Sequence, residues 1–322
     1  MKKKLSLFLI IAMLSIFAAA CGGADDNSSE NQEGGAEGNG EAQTDEITIS
    51  HELGETAVTK NPQKVVVFDF GILDSLDKLG VEVAAVPQAT VPAYLEKYEG
   101  DEYVNAGSLK EPDFEAIAEL GPDLIIISAR QMELYEEFAE IGPTVYMPLD
   151  YENYMESFKG NMVTLAQIFD KEAEVEAKLA AVDEVIAGLK EKGEGIGKNA
   201  LVILANEGNL SAYGPGSRFG IIHDEFGIPA VDESIEISTH GQNISPEYIV
   251  EMDPDYLFVI DRGAAVGGES SAKSIVETEL VKTTKAFQDD NIVYLNPDYW
   301  YLSGGGLISV AEMVKEIEAG IQ

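Results

Sequence analysis

Short apolar runs bounded by turn-forming residues recur along the chain: KVVVFDF at 64–70, VEVAAVP at 81–87, DLIIIS at 123–128 and TVYMPL at 144–149. After a gap come NALVILAN at 199–206, DYLFVID at 255–261 and NIVYLNP at 291–297. Continuous runs of this length fit strands covered on both faces. Between them, ILDSLDKLG, FEAIAELG, YIVEM and LISVAEMVKEIEAGI carry apolar residues at three- and four-residue spacing, as helices do. Strands alternating with helices predict an α/β fold with mainly parallel sheets. The gap, Asn153 to Lys192, lacks proline and places Tyr154, Phe158, Met162 and Leu165, then Val175, Leu179, Val182, Ile186 and Leu189, at helical spacing. Asp170 can cap a second helix after a break. A chain of 322 residues exceeds the size at which one core usually divides. The pattern therefore predicts two α/β lobes, 47–152 and 193–322, joined by a helical connection over 153–192 that limits their relative motion.

The two halves share a unit. PDFEAIAELGPDLIIISAR, Pro112 to Arg130, aligns without gaps on ISPEYIVEMDPDYLFVIDR, Ile244 to Arg262. Glu115 matches Glu247, Pro122 and Asp123 match Pro254 and Asp255, and Arg130 matches Arg262. In open parallel sheets the carboxyl ends of the strands face the ligand crevice, which is where both arginines should lie. The plainer alternative is that Pro-Asp marks two helix-to-strand turns.

The first twenty residues combine three lysines, an apolar run from Leu5 to Phe17 and a small triplet, Ala18 to Ala20, directly before Cys21. The run falls short of the ~20 residues that span a bilayer, so 1–20 reads as a secretory signal. The triplet before Cys21 resembles the lipobox of bacterial lipoproteins, with Ala18 where leucine is usual. That resemblance implies a lipidated Cys21 and an anchor on the outer face of a cell membrane. From Gly22 to Glu46 the chain is Gly, Asn, Ser, Gln and acid without Lys or Arg, so 21–46 reads as a flexible acidic tether.

The formal charge of −37 would repel a polyphosphate backbone and argues against nucleic acid as a partner. One cysteine excludes an intramolecular disulfide framework, and three histidines do not make a multi-histidine metal site. An extracellular hydrolase is the alternative from another class, since α/β sheets host many. Yet no G-x-S-x-G elbow, H-E-x-x-H or phosphate-binding loop occurs. HELGE at 51–55 reads as a strand edge, His51 as a surface residue and His223 as a structural one. Most of the 13 tyrosines read as core or sheet residues.

Taken in order, the signal, the acidic tether, NPQKVVVFDFGILDSLDKLGV, the repeated E-x-I-x-E unit and the ending WYLSGGG resemble the siderophore-binding lipoproteins that feed ABC importers in Gram-positive bacteria. The strings GSLKEPDFEAIAEL, YGPGSRFGIIHDEFG, STHGQ and PDYLFVIDRG resemble those of its members that take petrobactin. The resemblance implies two helix-linked lobes that close little on a ligand held in a shallow cleft between them. It implies no catalytic residue and no cofactor. The cargo it implies is a ferric catecholate siderophore, petrobactin in particular, delivered by a monomeric receptor to an ABC permease dimer. A haem or cobalamin receptor of the same fold stays open.

Ferric catecholates are multiply anionic, so so acidic a chain must concentrate cations at the cleft. Arg130, Arg218 and Arg262 match the family's cleft arginines, the alternative being ion pairs with nearby acids. Trp300 falls within the same site motif. His240 and Tyr301 match positions that bind iron in relatives specialised for tetradentate catecholates; toward a hexadentate ligand they would only pack or hydrogen-bond. Glu115 and Glu247 match the paired glutamates that engage the permease, although a carboxylate at a helix start needs no partner to be favourable.

Overall fold

The computed structural model describes residues 45–268 and 271–321. The expected signal, Cys21 and the tether as far as residue 44 lie outside the described residues. At Glu46 the chain already enters a strand, β1 (Glu46–His51), which pairs antiparallel with β2 (Gly54–Thr59). Polar-apolar alternation rather than a solid apolar run builds this hairpin, so HELGE is its turn. His51 is half-buried rather than a surface residue: its Nε2 lies 3.0 Å from Thr56 Oγ1 and its ring meets Tyr135 edge-on.

The first lobe follows as β3 (Val65–Val67), α1 (Phe70–Lys78), β4 (Ala85–Val86), β5 (Val104–Asn105), α2 (Phe114–Leu120), β6 (Leu124–Ile127), α3 (Tyr135–Ile141) and β7 (Thr144–Tyr146). Its sheet is wholly parallel, in the order β5-β4-β3-β6-β7. Helix α1 starts where the Asp69 carboxylate accepts from the amides of Gly71 and Ile72, a cap whose loss costs about 1 kcal/mol. It is buried all round from Phe70 to Leu76, with Phe70, Ile72, Leu73 and Leu76 in the apolar core and Asp74 and Ser75 buried beside them.

Two helices, α4 (Tyr154–Phe169) and α5 (Glu172–Gly195), lead to the second lobe. They break at Asp170, whose left-handed φ of 51° ends α4. Asp170 thus closes the first helix instead of capping the second, and its carboxylate accepts from Lys60 Nζ and Asn61 Nδ2.

The second lobe comprises β8 (Ala200–Asn206), β9 (Asn209–Tyr213), α6 (Ile221–Asp224), β10 (Gln242–Ile244), α7 (Pro246–Met252), β11 (Tyr256–Asp261), α8 (Arg262–Val266), α9 (Ala272–Val276), α10 (Lys285–Gln288), β12 (Ile292–Leu295) and α11 (Ser309–Gly320). Its sheet, ordered β10-β9-β8-β11-β12, is mixed: β8, β11 and β12 are parallel, while β9 runs antiparallel to both of its neighbours, β8 and β10. The hairpin between β8 and β9 turns on Glu207 and Gly208, both at positive φ, the two-residue turn that matches strand twist. No helix among the described residues is long and apolar enough to cross a membrane.

The repeated unit is a real structural repeat. Helices α2 and α7 both end in left-handed residues, Gly121 and Asp253, before Pro122 and Pro254 lead into β6 and β11. Asp123 Oδ2 accepts from the amides of Gln63 and Lys64 ahead of β3, and Asp255 Oδ2 from the amide of Asn199 ahead of β8. Each Pro-Asp therefore staples one strand to its parallel neighbour, while Ile117 and Ile249, fully buried, seat the helices. The turn reading of Pro-Asp holds, and at the opposite end of each strand the unit places its arginine just past the carboxyl end, Arg130 after β6 and Arg262 after β11.

Candidate functional site

Arg130 lies just past the carboxyl end of β6, in a tight 3-10 turn from Ala129 to Leu134. The turn is fixed by buried Gln131, whose Oε1 accepts from the Ser128 amide and whose Nε2 donates to Leu109 O at 2.6 Å. Arg262 opens α8 at the end of β11, where the Asp261 carboxylate caps the helix and also accepts from the Ala272 amide. Arg218 sits in the loop after β9, between buried Ser217 and Phe219, and the Phe219 ring packs edge-on against Tyr213. Three separate elements thus each present one guanidinium.

They converge on Tyr301, in a π-helical coil, Asp298–Ser303, between β12 and α11. Arg218 Nη2 donates to the Tyr301 carbonyl oxygen at 2.8 Å and Arg130 Nη2 to the same oxygen at 3.3 Å. Arg262 Nε donates to the Tyr301 hydroxyl at 2.8 Å, while its Nη1 donates to Asn206 Oδ1 at 2.7 Å. The Arg218 guanidinium lies 4.5 Å from the Tyr301 ring centroid and 5.3 Å from that of Phe219. Each such contact is worth roughly 1 kcal/mol at a partly desolvated site.

The electrostatics of this cluster are unusual for so acidic a chain. Every side-chain ion pair among the described residues uses a lysine, and none of the three arginines has a carboxylate within pairing distance. No arginine is therefore in a direct ion pair among the described residues, although the Arg130 charge still acts on the Asp69 carboxylate. Burial tends to raise the Tyr301 phenol, but the Arg262 hydrogen bond and the three guanidinium charges outweigh it and hold the phenol below its ordinary pKa. Neighbouring Tyr213 shows the opposite balance, pushed by burial up to about 12 despite Arg218.

Trp300 corrects an expectation. It is buried in the core, donates from Nε1 to Glu316 Oε2 at 2.8 Å, and meets Phe226 edge-on, so it is a packing residue behind the coil. An aromatic beside a site tyrosine is not distinguishable from it by sequence, because in a π-helical turn consecutive side chains point in different directions. His240 is exposed in a loop where its amide donates to Ser238 Oγ. The loop passes close to Tyr213 at Gly241, at φ 74°, where a Cβ would come within 2.7 Å of Tyr213 Cζ. No hydrogen bond joins His240 to Tyr301, and no group of three or more His, Cys, Asp or Glu among the described residues could hold a metal. His223 donates from Nδ1 to Ile228 O at 2.8 Å and is a half-buried scaffold residue.

Glu115 and Glu247 lie in the first turns of α2 and α7 and are exposed. Glu247 is held below the usual carboxylate range by hydrogen bonds from the Ser245 hydroxyl and its own backbone amide. Asn206, Gln131 and Tyr213 are site residues the sequence did not single out. For Asn206 a signal existed, since it ends β8 next to the strand that delivers Arg262.

A chain with this architecture has relatives. A family profile described as Periplasmic binding protein, Peripla_BP_2, matches residues 65–299. The petrobactin-binding protein YclQ of Bacillus subtilis is 49% identical over 324 residues, covering 99% of each chain. Its crystal structure superposes with a TM-score of 0.85 at 53% identity, over 86% of this chain and 99% of that one. The periplasmic catecholate-siderophore binding protein VctP of Vibrio cholerae superposes with a TM-score of 0.80 at 37% identity, over 85% and 99%. The chain belongs to the Peripla_BP_2 family of periplasmic binding proteins.

Proposed function

We propose that this protein is the extracellular receptor of an ABC iron importer, which captures a ferric siderophore of the catecholate type, petrobactin first among them, and hands it to the permease. The observation that carries this reading is the convergence of Arg130, Arg218 and Arg262, free of carboxylate partners, on one tyrosine. Three fixed cations at one point offset the repulsion that a chain of charge −37 exerts on an anionic complex. Guanidinium planes can stack on catechol rings and donate to their oxygens, which a lysine point charge cannot do as well. The relatives' names support the same cargo class: one binds petrobactin and another catecholate siderophores. Like them, the chain is a binding protein and not a hydrolase.

In this reading the Tyr301 carbonyl and phenol occupy the guanidinium donors as anionic ligand oxygens would. A siderophore with fewer than six donors leaves coordination positions on iron, and a phenol already biased toward its anion, with an imidazole from His240, is suited to fill them. Lipidated Cys21 would hold the monomeric receptor at the outer membrane surface, the residues up to 46 giving it reach. Glu115 and Glu247, one on each copy of the repeated unit, would each meet one arginine of a symmetric permease dimer. Calorimetric titration with ferric petrobactin, ferric hydroxamates and haem tests the cargo class. Binding of the hydroxamate or haem alone would end this reading.

A further inference from the structure

The coil that bears Tyr301 is held from the first lobe by a carboxylate. Helix α1 presents Asp74, wholly buried, to the turn between the coil and α11. Asp74 Oδ2 accepts from the Ser309 amide at 2.9 Å and Oδ1 from the Ile308 amide at 3.2 Å. The Tyr94 hydroxyl donates to Asp74 Oδ2 at 3.0 Å and lies 2.7 Å from Ser303 Oγ, the last residue of the coil. Beside it the Leu307 amide donates to Ser75 Oγ at 3.0 Å. The surfaces are in close contact: a Cβ on Gly306 would come within 1.9 Å of Asp74 Oδ1, and one on Gly71 within 2.9 Å of Ser303 O.

No lysine or arginine among the described residues pairs with Asp74. The titratable groups that interact with it are Tyr94 and Tyr154 of α4. Burying a carboxylate without a cation is costly, and burial pushes Asp74 up to about 6 even though four donors hold it down. An aliphatic side chain would avoid the buried charge but leave the Ile308 and Ser309 amides and the Tyr94 hydroxyl without their acceptor. What the carboxylate adds is direction, because it fixes two amides of the turn and, through Tyr94, the end of the coil.

We propose that Asp74 is a positioning residue of the siderophore site: with Tyr94 it fixes the 298–309 segment on α1 and so keeps Tyr301 within reach of Arg130. The proposal rests on the reading of the arginine cluster as that site. Its test uses the full-length chain with ferric petrobactin as probe, comparing Asp74→Asn and Tyr94→Phe with Arg218→Ala. Affinity is read by calorimetry, and the Tyr301 phenol by near-ultraviolet titration against matched Tyr301→Phe proteins. The expected result is about tenfold weaker binding in both variants, with Tyr301 titrating at higher pH than in the parent because the Arg130 charge no longer lies close to it. Parent-like affinity in both variants, with Arg218→Ala weakened, overturns the proposal and leaves the site reading standing. So does weakened binding with an unmoved Tyr301 titration. Parent-like binding by Arg218→Ala overturns the site reading, and this proposal with it. Should Asp74→Asn not fold, Tyr94→Phe, which keeps the carboxylate and its amide donors, decides alone.

Discussion

Arg262 donates from Nε to the phenol oxygen of Tyr301 at 2.8 Å, joining the end of one sheet strand to a coil that leans on the other lobe. This bond is the strongest single influence lowering the phenol's pKa, ahead of the charges of Arg218, Arg262 and Arg130. Arg262→Ala should therefore move the Tyr301 titration upward, as read by difference against Arg262→Ala with Tyr301→Phe. Arg262→Gln, which keeps a donor without the charge, should fall between the two.

Trp300 supplies a contrast. Removing its ring opens a cavity beside Phe226 and strands the Glu316 carboxylate, so Trp300→Ala should cost about 3–5 kcal/mol in urea unfolding. Trp300→Phe should cost less in packing but still release Glu316. In either variant the ligand affinity measured on the folded fraction should stay near that of the parent, in contrast to the arginine variants.

How much of this was legible in the sequence depends on which interaction fixed each element. The strands at 65–67, 124–127, 200–206 and 256–261 are solid apolar runs and could be read directly, since both faces are buried. The hairpin β1-β2 and the return strand β9 could not, because β1, β2 and the start of β9 are partly open to solvent and their turn residues, His51 to Gly54 and Glu207-Gly208, are ordinary in composition. The arginines were legible because a gapless repeat delivered two of them to equivalent strand ends. Their convergence on one tyrosine was not: Arg130 meets Tyr301 across 171 residues of chain, a contact that depends on tertiary packing.

Asp74 gives a signed pH dependence. Its folded pKa of about 6 lies above the ordinary carboxylate value of 3.8, so the folded state binds its proton more tightly than the unfolded chain. The resulting stability is fully present below the unfolded value and is lost as pH rises through 6. The difference amounts to about 3 kcal/mol between those limits. Urea midpoints of the parent should fall between about pH 4 and pH 7 relative to those of Asp74→Asn, which lacks this titration; parallel profiles would contradict it.

The glutamate pair separates capture from delivery. Glu115→Arg with Glu247→Arg changes two exposed first-turn residues on α2 and α7 and should leave ferric petrobactin affinity intact. Uptake of the labelled complex by cells displaying the double variant should be abolished. Uptake at the parental rate would remove the docking role.

The central claim is that three arginines without acidic partners make the anion site. Its most direct measurement is calorimetric titration of ferric petrobactin into the Arg130→Ala, Arg218→Ala, Arg262→Ala triple variant, whose fold is first checked by urea unfolding. The account predicts a loss of affinity of at least a hundredfold, each charge-assisted contact contributing ~1.5–3 kcal/mol, with cooperative unfolding retained and a midpoint lowered only by the loss of the arginine contacts to Tyr301 and Asn206. Parental affinity in a folded triple variant would contradict it.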